Sequence, residues 1–349
     1  MLNVLNKWYE RNFRDEEAVI LLLILLAGVA MVLLLGEILA PVIAALVLAF
    51  LLQGVVTQLL DWRFPHLAAV TASSALLVFL LLLILGLLLP LAMQQLANLL
   101  QELPVLLVVV QEQLVQLPAR YPAFITATQI NEWTAILSRE LGSLGQLALS
   151  LSLSKIPNLF NFLIYLVLVP VLVFFFLKDR QLLLGWCAAA LPPQRPFLSR
   201  IWQEMNEQMA NYVRGKAIEM GVVGVASYAV FAWFGLNYAA LLAIAVGLSV
   251  IIPYIGAFLV TVPVMLVAFL QWGWGGDFLL LISVYLFIQA LDGYALVPML
   301  FSEAVNLHPV AILLAILIFG GFWGLWGVFF AIPLATLIKA VFGAWPKFE

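Results

Sequence analysis

A single carboxylate lies inside one of the most apolar stretches of the chain. Asp292 is the only charged residue between Phe278 and Leu300, and Gln289 precedes it by three residues. Ionisable groups at membrane depth are rare, and most of them carry ions or protons or bind polar solutes. Asp292 is therefore predicted to carry a proton or cation, or to accept a hydrogen bond from a solute, with Gln289 beside it. The alternative is a structural hydrogen bond between two helices.

A second carboxylate begins the longest uncharged part of the sequence. Glu219 follows Lys216 by three residues, and residues 220–276 contain no charged side chain. Its position one turn into a predicted membrane helix makes Glu219 a candidate for binding a substrate or ion. The alternative is that its side chain reaches the aqueous interface.

Two apolar stretches in the second half are interrupted near their middle. Pro253-Tyr254-Ile255-Gly256 interrupts 238–271, and a glycine-rich run interrupts 309–339. Such breaks release backbone N–H and C=O groups, which a membrane tolerates only where they line protein or a watery cavity. Paired broken segments are typical of substrate sites in secondary transporters, and proline leaves carbonyls upstream of it free to coordinate a ligand. The alternative is that the glycines only permit close helix packing. The predicted binding residues are Pro253, Tyr254, Gly256, Gly320, Gly321 and Gly324.

Motifs of common enzyme sites are missing from the sequence. Gly215-Lys216-Ala217 lacks the upstream glycine and the hydroxyl of a nucleotide-binding loop, and neither HExxH nor GxSxG occurs. The single cysteine, Cys187, excludes a disulfide within the chain and a thiolate cage, and His66 and His308 lie far apart. We therefore predict no enzyme activity, no cofactor and no metal site.

Composition indicates which class of protein must position these residues. Of 349 residues, 66% are apolar and 9% are charged, and the mean hydropathy is +1.15. Soluble domains contain about 45–50% apolar and about 25% charged residues, so we predict an all-α polytopic membrane protein. The net charge of −3 provides no basic field that would hold nucleic acid.

Apolar runs of about 20 residues predict the order of the membrane spans. The first four are 18–36, 38–60, 67–93 and 156–177. Residues 94–155 contain charges and prolines, which predicts an external amphipathic helical subdomain or, alternatively, a plain helical connector. Residues 197–213 and 4–13 place apolar side chains at helical spacing opposite a polar face, as interfacial helices do.

The distribution of lysine and arginine predicts the orientation of the chain. With a cytoplasmic N-terminus, Arg120, Arg139 and Lys155 lie outside, and the other twelve of the fifteen cations lie inside. Both termini are then cytoplasmic, and the two broken stretches become re-entrant hairpins of opposite orientation among about eight membrane elements. The predicted domains are 1–93 (N-terminal interfacial helix and three spans), 94–155 (periplasmic helical subdomain), 156–216 (fourth span and cytoplasmic interfacial helix) and 217–349 (transport core).

Several short motifs, most of them in the second half, resemble those of a known transporter family. They are Phe176-Leu177-Lys178-Asp179, Tyr212-Val213-Arg214-Gly215, Ile252-Pro253-Tyr254-Ile255-Gly256, Asp292-Gly293-Tyr294-Ala295-Leu296-Val297-Pro298, Leu307-His308-Pro309 and Ile332-Pro333-Leu334, with glycines at 320, 321, 324 and 327. In these motifs the chain resembles the AI-2E family of transporters and, within it, the PerM-type permeases. The resemblance implies a bacterial inner-membrane exporter or permease. Some family members are linked to export of the signal autoinducer-2, and others to sodium/proton exchange.

The residues and the resemblance together predict a secondary transporter that works by alternating access. The hairpin tips and the helix of Asp292 would move against the N-terminal spans. This movement would export a small solute, either autoinducer-2-like or another small polar molecule, or exchange cations. The predicted partners are the lipid bilayer and a small-molecule or ion substrate, without nucleic acid, and a homo-oligomer is an open alternative. The alternative function is an oligomeric channel or a membrane scaffold without carrier activity.

Overall fold

Helices make up all the regular structure in the described part of the chain. The computed structural model describes residues 16–102, 132, 135, 158–301 and 307–344. Within these ranges, seven helices are long and apolar enough to cross a membrane, or eight when a bent pair is counted as one span. The predicted all-α polytopic membrane fold is therefore confirmed.

Two π-helical turns accompany the α-helices in the described part of the chain. The α-helices are α1 (Glu16–Asp61), α2 (His66–Leu83), α3 (Asn158–Lys178), α4 (Arg180–Ala189), α5 (Pro196–Trp233), α6 (Ala239–Ser249), α7 (Ile255–Trp272), α8 (Gly276–Leu291), α9 (Val297–Phe301) and α10 (Pro309–Ala344). After α2, the turn Ile84–Leu88 continues into further helix, so that His66–Glu102 forms one apolar segment. The turn Asp292–Leu296 joins α8 to α9.

The contacts of α1 show that this helix folds back on itself. Glu17 near its start accepts a hydrogen bond from the backbone N–H of Leu198 (3.0 Å), and Asp61 at its end shares a cavity with Asn206. Leu198 and Asn206 both belong to α5, where eight residues rise only about 12 Å. The ends of a straight helix of 46 residues would lie about 69 Å apart. The first two predicted spans are therefore the two arms of the folded helix α1. Each arm is confirmed as an apolar segment of membrane length.

Helix α5 joins two segments that the sequence analysis separated. The predicted interfacial helix 197–213 and the span after it form one helix of 38 residues. The structure differs from the prediction because no proline interrupts this region and Gly215 stays helical. A Cβ atom at Gly215 would lie 2.6 Å from the ring of Phe301, so this glycine allows α9 to pack closely on α5. The fourth predicted span corresponds to α3, and the chain then bends by 76° into α4, so that the two helices together form one bent candidate span.

The described helices fall into two units. The first unit consists of Met1–Val78, Tyr165–Glu219 and Gly293–Glu349, and the second unit consists of Phe79–Ile164 and Met220–Asp292. The predicted domain boundaries stay predictions. Most of the predicted external subdomain and the predicted interfacial helix 4–13 lie outside the described residues.

Each unit has a buried core of its own. In the first unit, Tyr212 and Phe301 pack with Ile312 and Ile316 of α10. In the second unit, close backbone approach brings α5 and α6 together. A Cβ atom at Gly247 would lie 3.2 Å from the Cα atom of Gly224, a contact of small residues that is typical of membrane helices.

Candidate functional site

The first broken stretch forms a tight helical hairpin in the second unit. Residues 250–254 form the turn between α6 and α7, and Tyr254 in this turn has a φ angle of 61°. A Cβ atom at Gly256 would lie at about half the ordinary contact distance of 3.4 Å from the carbonyl oxygen of Ser249. Only glycine therefore fits where the second arm begins, and the predicted break is confirmed as a hairpin.

The backbone carbonyls of this turn are used by the turn itself. The N–H of Ile252 donates to the Ser249 carbonyl (3.0 Å), and the N–H of Gly256 donates to the Ile252 carbonyl (2.9 Å). The Pro253 carbonyl accepts a bond from Ile255 (2.7 Å). The prediction that proline leaves upstream carbonyls free for a ligand is therefore not met at Ser249 and Ile252. Their oxygens stabilise the fold of the tip.

A glutamine closes the open end of the first hairpin. The side-chain carbonyl of Gln271, at the end of α7, accepts a hydrogen bond from the N–H of Asn237, and its amide donates to the Gly235 carbonyl, both at 2.8 Å. Asn237 and Gly235 precede α6, so these bonds join the beginning of the hairpin to its end. Gln95 also accepts a bond from the N–H of Leu241 (2.8 Å) and satisfies a donor in the first turn of α6.

Tyr238, immediately before α6, forms a second attachment of the hairpin. Its hydroxyl donates to the carboxylate of Glu102 at 2.5 Å. Burial, the hydrogen bond and the negative charge of Glu102 together raise the pKa of Tyr238 to about 12. The phenol therefore keeps its proton at neutral pH and holds the start of the hairpin against the end of the His66–Glu102 segment.

A chain of hydrogen bonds joins α7 to α8 within the second unit. Thr261 donates to the carbonyl of Ala257 (2.7 Å), so its single hydroxyl proton is in use. The buried hydroxyl of Tyr285 therefore donates to Thr261 (3.0 Å) and accepts a bond from the amide of Gln289 (3.1 Å). Gln289, a predicted binding residue, is thus linked to the first hairpin through Tyr285.

Asp292 begins the π-helical turn that follows α8. The residue is half-buried and lies three positions beyond Gln289. Single π-helical turns occur frequently at functional sites in proteins. The predicted binding residues divide between the units: Asp292, Gln289, Pro253, Tyr254 and Gly256 belong to the second unit, and Gly320, Gly321, Gly324 and Glu219 to the first. A common pocket formed by all nine stays a prediction.

The second broken stretch also forms a hairpin, within α10. Gly324 has φ and ψ angles of 59° and −135°, a conformation that residues with a side chain rarely adopt. A Cβ atom at Gly327 would overlap the carbonyl group of Phe319. In a straight helix these two residues would be about 12 Å apart. The chain therefore turns back at Gly324, as the glycine pattern predicts, whereas re-entry of either hairpin within the bilayer stays a prediction.

The arms of the second hairpin pack tightly near its tip. A Cβ atom at Gly320 would lie 2.8 Å from a methyl group of Val328 on the opposite arm. The tip also meets α1, because a Cβ atom at Gly36 would lie 3.1 Å from the indole nitrogen of Trp323. At Gly321 no described atom lies within 4 Å of the Cβ position, so this predicted residue does not take part in the packing of the arms.

Tyr212 attaches the second hairpin to α5. Its hydroxyl donates to the carbonyl of Phe329 (2.8 Å), and its ring lies 5.7 Å from the ring of Phe329 and 5.8 Å from that of Phe301. Tyr212 is buried. Tyr212 could not be identified as a site residue from the sequence, because its partner lies 117 positions further along the chain.

Glu219 belongs to a buried ion pair. Its carboxylate lies 2.8 Å from the ammonium group of Lys216, and the exposed fractions of the two side chains are 2% and 5%. The ammonium group also lies 5.3 Å from the centre of the Phe301 ring, in cation–π range. The alternative in which Glu219 reaches the aqueous interface is therefore wrong. Lys216 was missed, although its three-residue spacing from Glu219 is a recognisable signal for an ion pair on a helix.

Polar side chains of three helices surround a cavity of about 400 Å³ in the first unit. They are Gln53, Thr57, Gln58 and Asp61 of α1, Arg180 of α4, and Asn206, Glu207 and Arg214 of α5. This cavity could not be predicted from the sequence. The four-residue spacing in α1 places its polar residues on one face of the helix, but spacing alone does not identify the helices opposite.

Comparison with known proteins determines the family. The sequence model described as "AI-2E family transporter" matches residues 20–347. This chain belongs to the AI-2E family. PerM of Escherichia coli strain K12, a candidate permease by name, is 47% identical over 346 residues, which is 99% of this chain and 98% of PerM. YueF of Bacillus subtilis strain 168, a candidate transport protein by name, is 31% identical over 183 residues, covering 52% of this chain and 49% of YueF.

Membership of the AI-2E family confirms the resemblance that the motifs indicated. It supports a transport role for this membrane protein and a location in the bacterial inner membrane. The family is one of transporters and permeases, in agreement with the prediction of a non-enzymatic protein. Lipid and a small-molecule substrate are the partners that such a role implies.

Proposed function

We propose that this AI-2E family member is a secondary transporter that works by alternating access, with the two helical hairpins as its gates. It would export a small polar solute, of which autoinducer-2 is one candidate, or exchange cations across the inner membrane. Both termini would be cytoplasmic. The observation that supports this proposal is that both interrupted stretches form hairpins whose tips exclude any side chain at Gly256 and Gly327.

The construction of the hairpins suits parts that move as rigid bodies. Each tip is closed by backbone contact, and the first hairpin is also closed at its base by Gln271. A hairpin that is fixed at both ends transmits a displacement instead of absorbing it by bending. Discontinuous helices of this kind surround substrate and ion sites in secondary transporters.

Asp292 would couple this movement to a proton or cation. Carboxylates within membrane segments are typical of proton relays and ion pathways, and the π-helical turn at Asp292 gives the chain a local departure from regular helix. The hydrogen bonds of Gln289, Tyr285 and Thr261 connect this turn to the first hairpin. A change in the charge of Asp292 can therefore act on the hairpin through adjacent side chains.

Transport measurements on reconstituted protein test the proposal. Proteoliposomes loaded with a pH-sensitive dye would report sodium/proton exchange, and release of autoinducer-2 would be measured in parallel vesicles. We expect Asp292→Asn to abolish the pH dependence of transport. The matched control is Asp277→Asn, which removes an exposed carboxylate in the first turn of α8. This variant should leave the pH dependence of transport unchanged.

Two results would contradict the proposal. Equal flux and equal pH dependence in the wild type and Asp292→Asn would remove Asp292 from the mechanism. Single-channel currents in planar bilayers would favour the alternative function, an oligomeric channel, because a carrier moves too few ions per second to give resolvable current steps.

A further inference from the structure

We propose that the polar cavity of the first unit binds an oxyanion group, a phosphate or carboxylate, of a small polar molecule or a lipid. The cavity volume of about 400 Å³ lies in the range of small-molecule sites. Two arginines, Arg180 and Arg214, line it. This inference does not depend on the proposed transport mechanism, because it concerns binding and uses none of the residues assigned to coupling.

Arg214 is held in place while most of its donors stay available. Its Nε–H donates to the Ala210 carbonyl (3.0 Å), and one Nη2–H donates to the side chain of Asn211 (3.1 Å). These bonds use two of the five N–H donors of a guanidinium group. The remaining donors have the planar geometry that binds two oxygens of one carboxylate or phosphate.

Neighbouring residues position the two arginines for a shared ligand. A Cβ atom at Gly54 would lie 3.3 Å from Cδ of Arg214, so this glycine makes room for the arginine against α1. Arg180 reaches towards Asn206, with 3.5 Å between Nη2 and Oδ1. A bond of this length is weak, and an oxyanion would give Arg180 a stronger partner.

The acidic residues of the cavity define the rest of the ligand. Arg180 and Arg214 are half-buried, whereas Asp61 and Glu207, which line the same cavity, are exposed. A ligand would therefore point its oxyanion inward and a hydroxyl or amine group outward, where carboxylates accept hydrogen bonds. A second oxyanion group on the ligand would be repelled by these carboxylates, which favours a single oxyanion group on a small polar body.

Binding of inorganic phosphate to the purified full chain tests the proposal. Thermal unfolding would be followed in nanodiscs of phosphatidylcholine as phosphate is added at constant ionic strength, since a ligand that binds the folded state raises its stability in a saturable way. We expect Arg180→Gln and Arg214→Gln to weaken phosphate binding by about tenfold or more, because each removes charge-assisted hydrogen bonds. Arg200→Gln removes an exposed arginine of α5 outside the cavity and should leave binding unchanged.

A second arm distinguishes a free solute from a lipid headgroup. The same variants would be melted in nanodiscs with and without phosphatidylglycerol. Stabilisation by phosphate in phosphatidylcholine assigns the site to a solute, and stabilisation by phosphatidylglycerol alone assigns it to a lipid, provided that the cavity arginines are required. If Arg214→Gln does not fold, Arg180→Gln decides, because among the described residues the Arg180 side chain donates only the long bond to Asn206. The proposal is overturned if neither ligand stabilises the wild type, or if Arg200→Gln weakens binding as much as the cavity variants do.

Discussion

Replacement of Gly327 by alanine tests the second hairpin directly. The added methyl carbon would stand at about half the ordinary contact distance from the Phe319 carbonyl oxygen. Relief requires the backbones of the two arms to separate by roughly 1.5 Å, and overpacking of a well-packed core already costs about 1–3 kcal/mol. Because the obstacle is backbone and cannot change its rotamer, we expect Gly327→Ala to lower the free energy of unfolding by about 3 kcal/mol or more.

A graded set of variants gives this prediction its controls. In Gly320→Ala the obstacle is a methyl group of Val328 at 2.8 Å, so the loss should be smaller, and adding Val328→Ala should recover part of it. Gly343→Ala places a methyl group in a helical position with no described atom within 4 Å, and should stabilise the protein by up to about 1 kcal/mol. Denaturant titration in detergent, followed by tryptophan fluorescence, measures all four variants. If Gly327→Ala is as stable as Gly343→Ala, the arms do not meet at Phe319 and the hairpin is wrong.

Three further predictions concern polar contacts described above. Tyr285→Phe should lower the free energy of unfolding by about 1–3 kcal/mol, because Thr261 and Gln289 each lose their hydrogen bond to the buried hydroxyl. Lys216→Met should cost about 3–5 kcal/mol, because it leaves the Glu219 carboxylate buried without its cation, and adding Glu219→Gln should recover much of this. The pKa of Tyr238 is raised from 10.0 to about 12 in the folded state, so its contribution to stability is complete below pH 10 and lost as the pH rises towards 12. Glu102→Gln should lower this pKa, as measured by the ultraviolet absorbance of the phenolate.

Each of these experiments has a matched control. Tyr294→Phe removes the hydroxyl of a tyrosine that is 88% exposed, and should change stability little. A Tyr285→Phe variant as stable as this control would exclude an energetic role for the hydrogen-bond chain. Equal losses for Lys216→Met with and without Glu219→Gln would show that the ion pair is not coupled. Tyr238→Phe identifies the absorbance that belongs to that phenol, and an unchanged titration in Glu102→Gln would refute the assigned cause.

The features that could be predicted from sequence are those with a local chemical cause. Proline at 253 and glycines at 256, 324 and 327 have conformational requirements of their own, so both hairpins could be located from the residues that form their tips. The apolar lengths likewise predicted the first two arms and the fourth span. The prediction of a separate interfacial helix was wrong, because amphipathic spacing describes a helix face and does not indicate where that helix ends.

The rest depended on contacts between distant parts of the chain. Tyr285 and Gln289 are four residues apart and could be paired from sequence, but Thr261 on another helix could not. From the sequence, Lys216 was counted among the cations that determine the orientation of the chain. Its nearest carboxylate, Glu219, instead makes it one member of a buried ion pair. The cavity needs side chains from three helices, and no local pattern reports which helices become neighbours.

The fold of the second hairpin has a consequence for how the chain enters the membrane. Its turn, Gly320-Gly321-Phe322-Trp323-Gly324-Leu325-Trp326-Gly327, carries no charged side chain. In the proposed re-entrant arrangement the arms return to the side from which they start, so only the apolar arms and this neutral turn would enter the lipid during biogenesis. No hydrophilic loop would have to be translocated, and the hairpin would avoid the cost of moving a charge through hydrocarbon. A charged residue introduced at the turn would obstruct insertion before it could affect transport.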